Sequence, residues 1–411
     1  MNNQNSYFLN SPEDITDELR VKIATGTLRE LTINYSLKIT GKEDNWSNSP
    51  FSGATTVRRI SYPVYLGKNC RSVAGLFAGC SSLEEIPQLD TSRINNFSYF
   101  AQNCCRLKKV PLLNTSCVTT LKNCFASCFE LQEIPAFDTR NVTDFSYAFS
   151  GCHKLHTIPL LDTGRGENFE CMLESCFSLE EIPDLNTSHA QNLNSMFFCC
   201  VKLQKIPVLP LHNAREAMSM FDSCESLTAI PPLNLDQVRK VAMMFNSCSN
   251  VREIGMINLP EAIDISHLFA QCSKLSRISG INAPQAVIAK NLFAGCTELW
   301  KLPQLNLKKA CEMSELCADC QSLQEVQEEV FPAVQNLDHA FSGCLKLEQF
   351  PSWRTPAVIN MTGMFQGCTS LREVGELNDD HAELTTDMYR DCPALHHRPF
   401  SSLKNMFRRK D

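Results

Sequence analysis

Closely spaced cysteines are the residues of this chain whose types and spacing could most readily support chemistry. Cys317 and Cys320 form a CxxC pair, a spacing that metal sites and redox-active thiols use. Two further pairs, Cys104–Cys105 and Cys199–Cys200, place thiols on adjacent residues. Whether these thiols are reactive depends on the elements that hold them, and those elements follow a repeat.

The cysteines belong to a ladder in which one cysteine returns every 24 residues, without insertion or deletion. Self-similarity at a fixed period of this length is typical of a solenoid built from stacked coils. Cys317 occupies a column that is phenylalanine in most units, so we interpret the CxxC pair as core residues. The fourteen ladder cysteines are Cys80, Cys104, Cys128, Cys152, Cys176, Cys200, Cys224, Cys248, Cys272, Cys296, Cys320, Cys344, Cys368 and Cys392.

Other candidate sites give weaker signals. His396 and His397 could bind a metal at the open end of the solenoid, but no cysteine or carboxylate lies at a suitable spacing. Gly164–Glu167 resembles a phosphate loop only in its glycines and lacks a strand–loop–helix context. We therefore predict no catalytic residues, no metal site, no cofactor and no enzymatic activity. An enzyme built on the solenoid face is the less favoured alternative.

Within each unit, the first half has the pattern of a short strand. The position three after the ladder cysteine is leucine or valine, and the sixth is mostly isoleucine, as in Leu83–Ile86. Proline often follows, as at Pro87, and it cannot continue a hydrogen-bonded ladder. Asp or Asn at the tenth position, as at Asp90, predicts a turn in which the side chain accepts from nearby backbone amides.

The second half of each unit changes period. Val142, Phe145, Ala148 and Phe149 precede Cys152 at spacings of three and four residues, which predicts a helix of about two turns. The fold class is therefore an α/β repeat: a leucine-rich-repeat type solenoid of about 14 coils, each a short parallel strand plus a short helix.

The repeat sets the predicted domains. Residues 71–400 form the solenoid and residues 1–70 form an N-terminal α+β cap over its first coil. In this cap we expect a helix with Ser11 as N-cap and Gly26 as its end, and strands over residues 31–39 and 57–66. Residues 401–411 are interpreted as a capping helix or, alternatively, as a basic tail that touches an anionic membrane surface.

The repeat phrases at Phe77–Ile94 and Met196–Pro207 resemble BspA-like leucine-rich repeats of bacterial and some protozoan proteins. The resemblance covers about residues 70 to 400, and every unit keeps register. It implies the solenoid fold, and it implies a role in adhesion or host interaction, because members are mostly surface or secreted proteins. This chain departs from the surface members because it shows no signal peptide, anchor or wall-attachment tail.

Composition and charge limit the possible binding partners of the chain and its cellular compartment. A net charge of −7 and a pI near 5.8 argue against a nucleic-acid binder. No apolar run reaches the 18 residues of a membrane span, and residues 1–11 lack a signal-peptide core. The ladder cysteines are interpreted as reduced thiols in a cytosolic setting; disulfides between stacked coils are the alternative.

Two sets of surface residues are the candidate partner-binding site. A column eight residues after the ladder cysteine includes Leu112, Leu160, Val208 and Met256. It either faces outward as an apolar stripe or packs under the corner of the coil. Trp300 lies at an outward strand position, either as an exposed interface anchor or covered by Lys301 and Gln324.

These features predict a non-enzymatic protein–protein interaction scaffold. We expect a bacterial effector, secreted without a Sec signal peptide, that binds a host protein in the host cytoplasm. The alternative function is an extracellular or cell-surface adhesin, and the alternative location is the chain's own cytoplasm. The prediction includes no nucleic-acid partner and no stable membrane insertion.

Overall fold

The computed structural model describes residues 5–42, 45–377 and 381–396. The chain divides into two compact units, residues 1–203 and residues 204–411. The interpretations placed on His397 and on residues 401–411 lie outside the described residues. None of the helices in the described part of the chain is both long and apolar enough to cross a membrane.

The first unit begins with a short α+β segment. Its helices are a 3-10 helix, Pro12–Asp14, and α1, Asp17–Thr25. The single helix expected from Ser11 is therefore divided, and Thr16 caps α1 by accepting the Leu19 amide at 3.2 Å. Gly26 ends α1 as predicted, in the left-handed conformation that favours glycine.

This segment also contains short strands. Those at 30–33 and 64–66 lie where alternation predicts strands but are shorter, whereas those at 6–9 and 45–47 were not predicted. β1, β2 and β5 form a parallel sheet in the order β1-β2-β5, and β3 pairs with β4 in antiparallel fashion. The expected strand over 57–66 is limited to its last three residues. The bounds are β1 Ser6–Leu9, β2 Glu30–Ile33, β3 Ile39–Lys42, β4 Asn45–Ser47 and β5 Val64–Leu66.

The repeats of each unit are stacked by parallel bridges between residues 24 apart. In the first unit one column of bridges runs through Ser72, Asn96, Thr120, Asp144, Asn168 and Asn192. In the second unit the same column runs from Glu216 to Leu384. Each coil therefore bonds its neighbour in register, which confirms a leucine-rich-repeat type solenoid with parallel strands in both units.

Among the described residues, strands of six residues occur only in the second unit, in two coils that lack the usual proline. Proline is one reason for the short strands elsewhere, but the coils with Gln327 or Gly375 at this position also have strands of only two residues. β6 and β7 are six residues long where Gly255 and Ser279 replace the usual proline, whereas Pro303 precedes the short β8. Because proline has no N–H, it cannot donate to the neighbouring coil. The bounds are β6 Glu253–Asn258, β7 Arg277–Asn282, β8 Gln304–Asn306, β9 Glu329–Val330, β10 Gln349–Phe350, β11 Trp353–Arg354 and β12 Glu373–Val374.

The helix predicted for the second half of each repeat was wrong: the described residues of the repeats contain none. Instead, this half is a series of tight turns. Tyr147 and Phe149 donate their amides to the carbonyls of Glu170 and Met172 in the next coil, at 2.7 and 3.0 Å. These amides are unavailable for the bonds that an α-helix makes within itself.

The turns also require a left-handed backbone. In the same coil Tyr147 has φ 56° and Gly151 has φ 71°, and both positions are left-handed in neighbouring coils as well. The residues that follow them, Ala148 and Cys152, donate to carbonyls three residues back, at 3.0 and 3.2 Å. A left-handed residue every fourth position closes each turn and makes a continuous helix impossible.

The core of each unit is a stack of phenylalanine rings beside the cysteine ladder. Phe125 and Phe149 stack with centroids 6.0 Å apart in the first unit. Phe221, Phe245 and Phe269 continue at 5.6 and 5.7 Å in the second. These rings are fully buried, so each coil fixes its neighbour through a large aromatic contact.

Candidate partner-binding surface

Ladder cysteines lie in the core, and nearly all of them donate their S–H to a backbone carbonyl 27 residues back. Cys104 and Cys152 donate to Phe77 and Phe125 in the first unit, at 3.1 and 3.3 Å. Cys272 repeats this contact in the second unit at 3.2 Å. Burial raises the pKa of Cys152 and Cys272 to about 12, so these thiols stay protonated donors.

The same burial decides the chemistry of the CxxC pair. Cys317 and Cys320 are fully buried, and burial raises the pKa of the Cys317 thiol well above its usual range. A thiolate is the form that attacks disulfides or binds metals, and this site disfavours it. Among the described residues no group of three or more His, Cys, Asp or Glu side chains could hold a metal ion.

Asn and Asp side chains close the corner of each coil. Asp90, Asn114 and Asn186 each accept the amide two residues ahead at 3.1 Å, which confirms the predicted turn. A second column, at the bridge position, does the same: Asn96 and Asp144 accept the amides of Ser98 and Ser146. The sequence reading missed this second column, although its Asn and Asp residues also recur every 24 residues.

The apolar stripe faces outward in both units. Leu112 and Leu160 are 65% and 69% exposed in the first unit, and the leucine after each is buried. Val208 and Met256 are 69% and 52% exposed in the second unit. The alternative in which this column packs under the corner is therefore wrong. The role of these residues in binding a partner stays a prediction.

Gly280, in the next coil, leaves room for the side chain of Met256, a member of the stripe. A Cβ placed on Gly280 would be 2.9 Å from Cε and 3.2 Å from Sδ of Met256. The Met256 thioether therefore extends over the next coil of the second unit, where a larger residue would displace it. Methionine is adaptable in such a position because it is unbranched and polarizable.

Trp300 is partly exposed, so it is neither a fully exposed anchor nor a fully covered residue. Its side chain is 40% exposed, and Lys301 Nζ lies 6.0 Å from the centroid of its ring. Lys301 in turn pairs with Glu325 at 3.0 Å. Trp300 belongs to a different column from the stripe, four residues after the ladder cysteine rather than eight, so the two sets are separate features.

The first unit has an aromatic stack on its surface that the sequence analysis did not predict. Phe129, His153 and Phe177 directly follow three successive ladder cysteines, and their rings stack with centroids 4.6 Å apart at both steps. Burial between the rings lowers the pKa of His153. The signal was available, because aligning the repeats places all three rings in one column.

The family comparison covers most of the repeats. A family model described as "Mycoplasma protein of unknown function, DUF285" matches residues 71–178, 100–208, 215–330 and 289–403. No curated protein sequence matches the chain.

Solved structures of bacterial leucine-rich proteins align over most of the chain. A leucine-rich cell surface protein of Faecalibacterium prausnitzii is 19% identical, with a TM-score of 0.42, covering 85% of this chain and 87% of that one. A leucine-rich repeat protein of Eubacterium ventriosum is 14% identical, with the same TM-score, covering 94% and 93%. At these identities the likenesses carry no information on function. The family matches extend over far more than half of the sequence, and the chain therefore belongs to the DUF285 family.

Proposed function

We propose that this chain is a non-enzymatic protein-binding scaffold whose repeats are of the BspA-like type. The observation that carries the proposal is the exposure of large aliphatic residues at one column of the coil. Leu112 and Leu160 in one unit, and Val208 and Met256 in the other, are exposed, and the residue that follows each of them is buried. Exposed apolar residues that recur in register are typical of surfaces that bind proteins.

We further propose that the partner is a host protein and that the chain is secreted and acts in a reducing compartment. The thiol ladder supports the reducing compartment, because a cysteine that donates S–H to a carbonyl must be reduced. Alkylating the thiols at the moment of extraction and counting the blocked cysteines tests this. Disulfides throughout the ladder would contradict the proposed compartment.

The binding proposal is tested by a pull-down from eukaryotic cytosol under reducing conditions. The natural chain is compared with a triple variant carrying Leu112→Glu, Leu160→Glu and Val208→Glu. We expect a partner that the natural chain retains and the variant loses, because each substitution puts a charge where an apolar contact is needed.

A matched control adds the same three charges elsewhere. Gln132→Glu, Gln191→Glu and Gln204→Glu lie at exposed positions of the coils outside the stripe column, and this variant should keep the partner. Circular dichroism and urea midpoints establish that both variants fold. Equal loss in the two variants would reject the stripe. Binding to intact cells without any cytosolic capture would favour the adhesin function instead.

A further inference from the structure

A polar groove lies beside Trp300 in the second unit. It encloses about 540 Å³ and is lined by Arg277, Ser279, Trp300, Lys301, Gln304 and Gln327, among others. Two cationic side chains, an indole ring and several hydrogen-bonding groups therefore converge on one opening. No carboxylate is among the described residues that line it. Such a lining is suited to an anionic group attached to an apolar one.

The two cations of this groove are in different states. Lys301 is held between Glu325, at 3.0 Å, and the face of Trp300, at 6.0 Å. Among the residues that the structure describes, none lies within 4.0 Å of Arg277 as an ion-pair partner. Its register partner in β6 is Glu253, which lies outside the lining of the groove. The guanidinium of Arg277 is therefore available to a carboxylate, which it can bind through two parallel hydrogen bonds.

The neighbouring groove of the same unit has the opposite charge. It encloses about 460 Å³, and its lining includes Glu325, Glu328 and Glu373 but no cation among the described residues. Gln327 lines both grooves, so they are contiguous. The acidic lining lies within about one Debye length, roughly 8 to 10 Å, of the cationic groove. A polyanion seated at Trp300 would be repelled there, whereas a segment with one negative and one positive group would match both grooves.

We propose that the groove at Trp300 binds the acidic side chain of an extended peptide segment of the partner protein. Its carboxylate bonds Arg277, an adjacent apolar side chain packs on Trp300, and a basic residue further along enters the acidic groove. The two grooves are about two coils apart, roughly 10 Å at the spacing of parallel strands. An extended chain covers this distance in about three residues. This inference rests on the proposed protein-binding function and names the chemistry of the bound segment.

The test uses the full chain labelled with 5-fluorotryptophan, with the Trp300 signal assigned by Trp300→Phe. Three blocked peptides are titrated while the fluorine spectrum is recorded: acetyl-Glu-Leu-Ala-Lys-amide, acetyl-Lys-Leu-Ala-Lys-amide and acetyl-Glu-Leu-Ala-Glu-amide. We expect the first to shift the Trp300 signal at the lowest concentration. Arg277→Gln should weaken this binding about tenfold, the range expected when a charged hydrogen-bond partner is removed.

Arg239→Gln is the matched control, because Arg239 is an exposed arginine of the same unit outside both grooves. It should leave the titration unchanged. The proposal is overturned if no peptide moves the Trp300 signal, if Arg239→Gln weakens binding as much as Arg277→Gln, or if heparin shifts the signal more strongly than the mixed-charge peptide.

The same variants separate this proposal from the broader one. In the cytosolic pull-down, a partner that depends on Leu112, Leu160 and Val208 but is retained by Arg277→Gln would keep the scaffold function and reject the peptide groove. A partner lost by both variants supports both proposals. A groove that binds the peptide while the stripe variant retains every partner would support the groove and reject the stripe.

Discussion

At the scale of single residues, the cysteines show how a reactive group becomes a structural one. The ladder thiols are buried. The Cys152 S–H, for example, donates to the carbonyl of Phe125, which also accepts the amide of Cys128 in its own coil. Thiols held in this way are donors in a hydrogen-bonded core, and their raised pKa values follow from burial. The CxxC spacing of Cys317 and Cys320 results from the repeat itself.

Thiol reactivity should follow this burial. Under native conditions a disulfide reagent such as DTNB should react rapidly with Cys117, the exposed cysteine, and more slowly with Cys105, Cys199 and Cys311. The fourteen ladder cysteines and the other buried ones, Cys70, Cys124, Cys171 and Cys317, should react only when denaturant exposes them, which brings the total to 22. Cys117→Ala removes the fast phase and serves as the control. Rapid reaction of ladder thiols in the folded protein would contradict the buried ladder.

His153 should make the first unit sensitive to acid. Burial between Phe129 and Phe177 lowers its pKa, so the folded state favours the neutral ring. The resulting stability is present above the unfolded pKa of about 6.5 and is lost as the pH falls toward the folded pKa. We expect His153→Phe to keep the stack and to reduce the loss of stability between about pH 7.5 and 5.5.

Urea unfolding at the two pH values measures this difference. His267 in the second unit also has a pKa lowered by burial, so part of the acid sensitivity should remain in the variant. His189→Phe, at an exposed position of the first unit, is the control and should leave the pH dependence unchanged. An identical loss in His153→Phe and in the natural chain would exclude His153 as a source of the effect.

At the scale of the elements, the strand half of the repeat was predictable and the turn half was not. Pro87 and its equivalents mark the end of the strand, since a residue without N–H cannot extend a ladder. Phe145, Ala148 and Phe149 suggested a helix because their spacing is three and four. In the structure the buried residues are about three apart around most of the coil, for example Cys152, Leu155, Ile158 and Leu161. A period of three throughout belongs to neither an α-helix, with 3.6 residues per turn, nor a β-strand, with a period of two.

Glycine gave a signal that could have identified these turns. The position before the ladder cysteine is glycine in five coils, at Gly79, Gly151, Gly295, Gly343 and Gly367, and all five have positive φ. Glycine at a fixed position ahead of the next element indicates a left-handed turn. The bulky residues at the companion position, such as Tyr147, hid the second left-handed column because side chains rarely adopt that conformation.

Gly151→Ala should therefore destabilise the first unit. Its φ is 71°, and an added Cβ would lie 3.4 Å from Cα of Ser127 in the preceding coil. We expect a loss of about 1 to 2 kcal/mol in the free energy of unfolding, from the left-handed strain of a residue with a Cβ. Urea unfolding followed by circular dichroism measures it.

Ser127→Gly is the matched reversal at the same position of the preceding coil, where φ is 60°. Relief of strain should offset the greater freedom that glycine has in the unfolded chain, so this variant should lose little or no stability. Equal losses from Gly151→Ala and Ser127→Gly would mean that the left-handed turn does not limit stability here.

At the scale of the whole molecule, the repeat pattern predicted the stacking but not which faces stay open. The 24-residue register alone places every ladder cysteine and most core residues. Leu112 and Leu113 are both leucines, yet the first is 65% exposed and the second is buried. The partial cover of Trp300 depends on Lys301, which turns toward Glu325 of the next coil. Hydropathy within one repeat specifies neither outcome.

A core substitution in one coil should speed amide hydrogen exchange only in that coil and its neighbours. Phe149 is fully buried and stacks on Phe125, so Phe149→Ala should cost about 3 to 5 kcal/mol. In a solenoid each coil contacts mainly its neighbours, and the damage should therefore spread only a few coils along the chain. Hydrogen exchange read by mass spectrometry should show faster exchange around residues 125–176, with residues 265–320 of the second unit unchanged. Phe129→Ala, at a half-exposed ring of the same unit, is the control and should leave both regions protected. Uniformly faster exchange along the whole chain would show instead that the two units unfold as one cooperative body.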